Sequence, residues 1–160
     1  WAPVIGKQFG ASQPLFLVDR ETDDSTQIGH PALTKDGKFM VFASDLPGGQ
    51  GGKDLWFSKF DKDAETWSLP QNLGSEINSS GDEMFPSFRA NGSLYFSSNG
   101  HAGLGGFDLC FAEQREGEMA FSEVTTLLYP LNSSGDELGI IFKGQTNSGI
   151  FSSNRKGGKG

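Results

Sequence analysis

Apolar and polar positions switch in short bursts along the chain, and the dominant period is two. Residues 54–60 put Leu55 and Phe57 on one side and Trp56 and Ser58 on the other, which is the alternation of a strand. Residues 39–44 form a compact run of β-formers, Phe-Met-Val-Phe-Ala-Ser. Before them, residues 31–34 end at Lys35-Asp36-Gly37-Lys38, and Asp-Gly between strand-like runs is a strong hairpin signal. Gly48-Gly49-Gln50-Gly51-Gly52 then breaks the chain, and the polar turn Asp61-Lys62-Asp63 leads to a fourth run at 66–69. The pattern predicts four short antiparallel strands. A second set is predicted over 85–89, 93–98, 107–112 and 120–126, with Asn91-Gly92 as its first turn. The best helical window, 113–128, contains Gly117 and the β-branched Val124, Thr125 and Thr126, which count against a helix.

The two sets are copies of one unit. When residues 42–83 are laid on 96–137, an offset of 54, 16 of 42 positions are identical. Asn78-Ser79-Ser80-Gly81-Asp82-Glu83 recurs unchanged as residues 132–137, and Gly51-Gly52-x-Asp54-Leu55 recurs as Gly105-Gly106-x-Asp108-Leu109. With one residue of slip, Gly37 falls on Gly92 and Phe96-Ser97-Ser98-Asn99 falls on Phe151-Ser152-Ser153-Asn154. Four antiparallel strands at a fixed period predict an all-β β-propeller of four-stranded blades. The expected organisation is the end of a preceding blade and a linker over 1–29, one blade over 30–83, a second over 84–137, and the start of a truncated further blade over 138–160. Propellers close with about four to eight blades, so the chain is expected to be part of a larger, incomplete propeller. Gly37, Asp54, Trp67, Gly92 and Asp108, with Phe42, Phe96 and Phe151, are the structural residues of the repeat.

The stretch at 31–45, Pro-Ala-Leu-Thr-Lys-Asp-Gly-Lys-Phe-Met-Val-Phe-Ala-Ser-Asp, resembles the PD40 (WD40-like, TolB-type) propeller repeat. Gly-Gly-x-Gly-Gly-x-Asp-Leu-Trp at 48–56 and Trp-x-x-Pro-x-x-Leu-Gly at 67–74 are similar to the variant found in OmpA-family envelope proteins of Bacteroidota, including lipoproteins associated with type IX secretion. The resemblance covers roughly residues 30–154. The third copy departs from it, with Asn147-Ser148-Gly149 for Asp-Gly-Lys and Ile140 for the Pro; the second has Cys110 where an aromatic is usual. The resemblance implies a periplasmic, outer-membrane-associated interaction module whose partners are other envelope proteins. Any lipoprotein anchor or cell-wall contact is expected to come through segments outside this sequence.

Composition narrows the chemistry. The net charge is −7, and the one basic cluster, Arg155, Lys156 and Lys159, is small and Gly-rich. Nucleic-acid binding is not expected without a basic stripe. No run of about 18 apolar residues is present, so no membrane span is expected. The single Cys110 excludes an intrachain disulfide and a cysteine-based metal site; it reads as a small core residue. His30 and His101 fall in different repeats, and no Gly-x-Ser-x-Gly elbow or His-x-x-His spacing is present. The Asp61–Trp67 turn does not meet the sialidase Asp-box, because Lys62 and Ala64 occupy its Asp and Gly positions. Asp82-Glu83 and Asp136-Glu137 recur by symmetry, which suits turns or links between blades better than a glycosidase pair. Asp54 and Asp108 are expected to satisfy backbone N–H groups, with a Ca²⁺ site as the weighed alternative. No catalytic residue, metal or cofactor is assigned. Loops carry recognition on such scaffolds, so Asp45, Asn99, His101 and Arg155 are the candidate binding residues.

The resulting expectation is a non-catalytic interaction or scaffold propeller of a bacterial envelope complex. The alternatives weighed against it are the accessory propeller of a peptidase or glycan-active hydrolase, and a carbohydrate or cell-wall binding module using exposed aromatics.

Overall fold

The structure is a computed structural model. It describes residues 25–116, 119–144 and 146–157, and before these only residues 4, 5, 8, 9, 11, 15 and 17. Much of the segment expected to end a preceding blade, and Gly158 and Lys159 of the basic tail, lie outside the described residues. The described residues contain no helix. They form antiparallel sheets, as the period-two pattern predicts.

A small pair, β1 (Val4–Ile5) and β2 (Gln8–Phe9), comes first. Sheet one runs β3 (Ile28–Leu33), β4 (Phe39–Ser44) and β5 (Asp54–Asp61), then β6 (Thr66–Trp67) and β7 (Gln71–Asn72), which pair with different stretches of β5. Sheet two runs β8 (Glu83–Phe88), β9 (Leu94–Ser98), β10 (Asp108–Ala112) and β11 (Thr125–Thr126), with an isolated bridge between Gln114 and Phe121. Sheet three pairs β12 (Glu137–Phe142) with β13 (Gly149–Ser153).

The 54-residue offset holds down to strand register. Ser44 faces Asp54 and Ser98 faces Asp108. Trp56 faces Asn72 and Cys110 faces Thr126, while Phe60–Trp67 becomes Gln114–Phe121. The outermost strand breaks in both sheets. In sheet one Pro70 falls in the gap, where a residue without an N–H cannot continue the ladder. The first strand of sheets one, two and three carries a one-residue irregularity at equivalent places. His30, Phe85 and Gly139 sit there with φ of 53°, 54° and 58°. The His30 ring stacks on Phe85 at 3.9 Å, and a Cβ on Gly139 would stand 3.4 Å from the Phe85 Cβ. The three irregularities therefore line up from sheet to sheet.

Gly37 and Gly92 close the first hairpins with φ of 68° and 86°, the left-handed conformation glycine adopts without steric cost. In sheet three the same hairpin is closed with Thr146 bonding back to Lys143.

The main core lies between sheets one and two. Phe39, Val41, Ala43 and Leu55 meet Leu94, Phe96, Cys110 and Ala112, with Ile77 and Phe121 also buried in the cluster. The opposite face of sheet one buries Met40, Phe42 and Trp56 against Leu17, with Leu15 and Trp67 packed alongside. Phe42 and Phe96 are fully buried, whereas Phe151, their equivalent on β13, is half-buried. Burying a Phe of this kind contributes on the order of 1.5–3 kcal/mol.

Candidate functional site

The start of each sheet's first strand, the end of the second and the start of the third come together at one end of sheets one and two. The hexapeptide Asn-Ser-Ser-Gly-Asp-Glu, the Gly-rich loops and all four candidate binding residues sit there. The hairpins at 35–38 and 90–92 lie at the opposite end.

The hexapeptide works residue by residue as a clasp. Its Asn supplies in one side chain both the donor and the acceptor of a missing strand. The Leu55 amide donates to Asn78 Oδ1 at 2.8 Å, and Asn78 Nδ2 donates to the Leu55 carbonyl at 3.0 Å. Asn132 repeats both bonds on Leu109, at 2.8 and 3.0 Å. Its Asp caps the chain entering the third strand: Asp82 Oδ1 accepts from the Lys53 amide and Asp136 Oδ1 from the Phe107 amide. Its Glu opens the next sheet and is fully buried. Glu83 accepts from the Ser79 amide at 2.9 Å and from the hydroxyls of Ser79 and Ser98. Glu137 accepts equivalent bonds from Ser133 and Ser153, and adds Arg155 at 3.0 Å. Burial would push the Glu137 carboxyl up, but the bonds from Ser153 and Ser133 and the Arg155 charge outweigh it and hold it below the usual carboxylate range.

The glycines of the clasp are fixed by close approach. A Cβ on Gly51 would meet the Ser79 carbonyl oxygen at 2.6 Å, and one on Gly105 would meet the Ser133 carbonyl oxygen at 2.7 Å. Each Gly-rich loop also wraps the aspartate that follows it. Asp54 accepts from the Gln50 and Gly51 amides and from Asn72 Nδ2. Asp108 accepts from the Leu104 and Gly105 amides at 2.9 and 3.0 Å. Thr126 stands where Asn72 would, and Asp108 Oδ1 is buried without a partner.

The four candidate side chains take part in the same framework. Asp45 accepts from the Gln27 amide at 2.7 Å. Asn99 Oδ1 accepts from the Asp82 amide at 2.7 Å, and Asn99 Nδ2 donates to Asp82 Oδ2. His101 Nε2 donates to the Ile77 carbonyl at 2.9 Å and its ring meets Phe96 edge-on. Arg155 donates to the carbonyls of Pro130 and Leu131, to Ser153 and to Glu137. Ile77 and Leu131 are equivalent positions, so His101 and Arg155 hold the same carbonyl in successive repeats.

Sequence reasoning missed the strand-mimicking role of Asn78 and Asn132. The signal was the invariance of Asn in two copies at a fixed distance from Leu55 and Leu109. It also missed an exception. Ile28 replaces the clasp Glu in the first repeat, and the Ser44 hydroxyl, equivalent to those of Ser98 and Ser153, is buried without a partner.

Some side chains that break the repeat are large and exposed. At the clasp end of sheet two, Leu104, Leu128 and Tyr129 are 53, 79 and 76 % exposed; sheet one has Gln50, Gly74 and Ser75 in their places. Burial raises the Cys110 thiol to about 11, with the charges of Asp108 and Glu83 adding to the rise against a bond from Thr126. Among the described residues no cluster of three or more His, Cys, Asp or Glu is placed to hold a metal, and no helix is long and apolar enough to cross a membrane. No family model, curated protein or solved structure matches the chain.

Proposed function

We propose that the chain is a run of propeller blades acting as a non-catalytic protein-interaction scaffold in an outer-membrane-associated complex of a bacterial envelope. The particular reading is a PD40-type propeller of the OmpA-family envelope kind, resembling the PorE-type lipoprotein of type IX secretion. The repeat motifs at 31–45, 48–56 and 67–74 support the family. The constant strand register and the repeated clasp support stacked, equivalent modules.

One observation carries the interaction role. The four candidate polar side chains, Asp45, Asn99, His101 and Arg155, bond within the framework, whereas Leu104, Leu128 and Tyr129, which depart from the repeat at the same end, are exposed. Exposed apolar groups on a rigid scaffold suit contact with another protein.

The test is purification of the tagged protein from envelope fractions of a Bacteroidota host, beside a Leu128→Asp, Tyr129→Ser variant. Co-isolation of outer-membrane proteins that the variant loses is the expected result. A partnerless cytoplasmic protein, or capture unaffected by the variant, contradicts the proposal.

A further inference from the structure

At the hairpin end, opposite the clasp, sheets one and two part to leave a groove of about 560 Å³. That volume lies within the range of small-molecule sites. Both flanking sheets have their strands in place among the described residues, β3 to β7 on one side and β8 to β11 on the other. One wall is the 34–38 hairpin, and the other is the 90–92 turn with Gln114. Phe39, Phe88 and Met119 form the floor. Phe39 and Met119 are buried in the core cluster between the sheets, and Phe88 packs against it.

Several of these side chains depart from the repeat. Met119 stands where sheet one has Glu65. Both adopt a φ of 53°, but Glu65 is exposed and Met119 is buried. A Met thioether adapts to irregular apolar partners. Gln114 stands where Phe60 packs on Trp67. Its Oε1 occupies the space that a Cβ on Gly92 would need, so the amide lies along the second wall. Lys35 and Lys38 of the first hairpin give way to Ala90 and Ser93 in the second. An apolar floor with a few polar groups at the rim is the usual composition of a ligand site.

Charge at the rim selects the occupant. Among the described residues Lys35, Asp36 and Lys38 are the charged side chains lining the groove. The Asp36 carboxylate is already engaged: it accepts from the Thr34 hydroxyl at 2.7 Å and the Lys38 amide at 3.1 Å, and pairs with Lys38 Nζ at 3.4 Å. Lys35 has no hydrogen bond or ion pair among the described residues. Lys59 Nζ brings a further cation to within 5.8 Å of the centre of the Phe39 ring. The groove therefore presents net positive charge on a chain whose net charge is −7, and an anion complements it.

We infer that this groove is a binding site for a small apolar acid. Its ring or chain lies on Phe39, Phe88 and Met119, and its carboxylate or sulfonate meets Lys35. The site is at the opposite end of the sheets from Leu128 and Tyr129, so it goes beyond the scaffold role and does not depend on it.

The probe is anilinonaphthalene sulfonate, which joins aromatic rings to one sulfonate, titrated into the full chain and followed by its fluorescence. Saturable one-to-one binding is expected, with new amide-exchange protection over 34–39 and 88–92. Lys35→Glu is expected to weaken it by about threefold or more. Lys156→Glu, the same charge change at the clasp end, should leave it unaltered. Met119→Glu, which restores the sheet-one residue and sets a carboxylate in the floor, is expected to cost roughly tenfold or more. Each chain is first checked as folded by circular dichroism, and the exposed Lys35 carries the test if Met119→Glu does not fold. The Leu128→Asp, Tyr129→Ser chain is expected to bind the probe as the parent does. No saturable binding to the folded parent at millimolar probe, undiminished binding by Lys35→Glu, or loss of binding in the Leu128→Asp, Tyr129→Ser chain would overturn the inference.

Discussion

Replacing Asn132 by Ala removes one side chain and three hydrogen bonds: from the Leu109 amide at 2.8 Å, to the Leu109 carbonyl at 3.0 Å and to the Leu127 carbonyl at 2.7 Å. The site is fully buried, so water does not replace them. The Leu109 carbonyl keeps the Leu127 amide as a donor, whereas the Leu109 amide is left without its Asn132 acceptor. Three bonds at about 1 kcal/mol each give a loss near 3 kcal/mol, within about 2–4 once the stranded donor is included. With a urea slope of about 2 kcal/mol/M, the midpoint falls by roughly 1.5 M. Asn132→Asp is the control. It keeps an acceptor for the Leu109 amide but sets a carboxylate oxygen against two carbonyls, so it should be at least as damaging. An Asn132→Ala loss under about 1 kcal/mol, or an Asn132→Asp chain as stable as the parent, would refute the strand-mimic reasoning.

Other outcomes follow from the same geometry. Gly105→Ala puts a Cβ 2.7 Å from the Ser133 carbonyl and closer still to that of Gly135; an overpacking loss of about 1–3 kcal/mol is expected. Gly29→Ala, with nothing within 4 Å, is its benign comparison in the same urea melts. Burial, then the Lys53 charge, holds the His30 imidazole below its ordinary 6.5. Its contribution is therefore fully present above pH 6.5 and is lost as pH falls through the depressed folded value. His30→Phe, which copies Phe85 at the equivalent site, should keep the stack and flatten that part of a melting-temperature profile run from pH 8 to 5. Glu137 has the same sign lower down: its contribution is complete above about 4.5, and Glu137→Gln should remove acid sensitivity there. The Cys110 thiol, buried and raised to about 11, should react with a disulfide reagent at pH 8 only as fast as the chain unfolds.

Much of the fold was legible because local chemistry and period agreed. Asp36-Gly37 and Asn91-Gly92 marked hairpins, and the alternation at 54–60 marked β5. The strand ends were not legible. β3 begins at Ile28 rather than at Pro31, and β8 at Glu83 rather than at Phe85, because pairing with Ser44 and Ser98 extends them past the irregularities at His30 and Phe85. The run at 120–126 yields only Thr125–Thr126 and a bridge at Phe121, since the outer strand detaches between them. The clasp showed in sequence only as an identity. A buried carboxylate such as Glu83 and an exposed turn acid have the same letter, and only the placement of Ser79 and Ser98 around it distinguishes them. The same holds for Arg155, whose contacts to Leu131 and Glu137 join positions that no local pattern connects.

Amide hydrogen exchange at Leu55 and Leu109 tests the clasp most directly. Both amides donate to a side chain rather than to a backbone carbonyl. If the hexapeptide binds each sheet to the next, both exchange only through global opening, and Asn132→Ala frees Leu109 while leaving Leu55 slow. Exchange of these two amides at the rate of the Gly-rich loop amides in the parent chain would contradict the account.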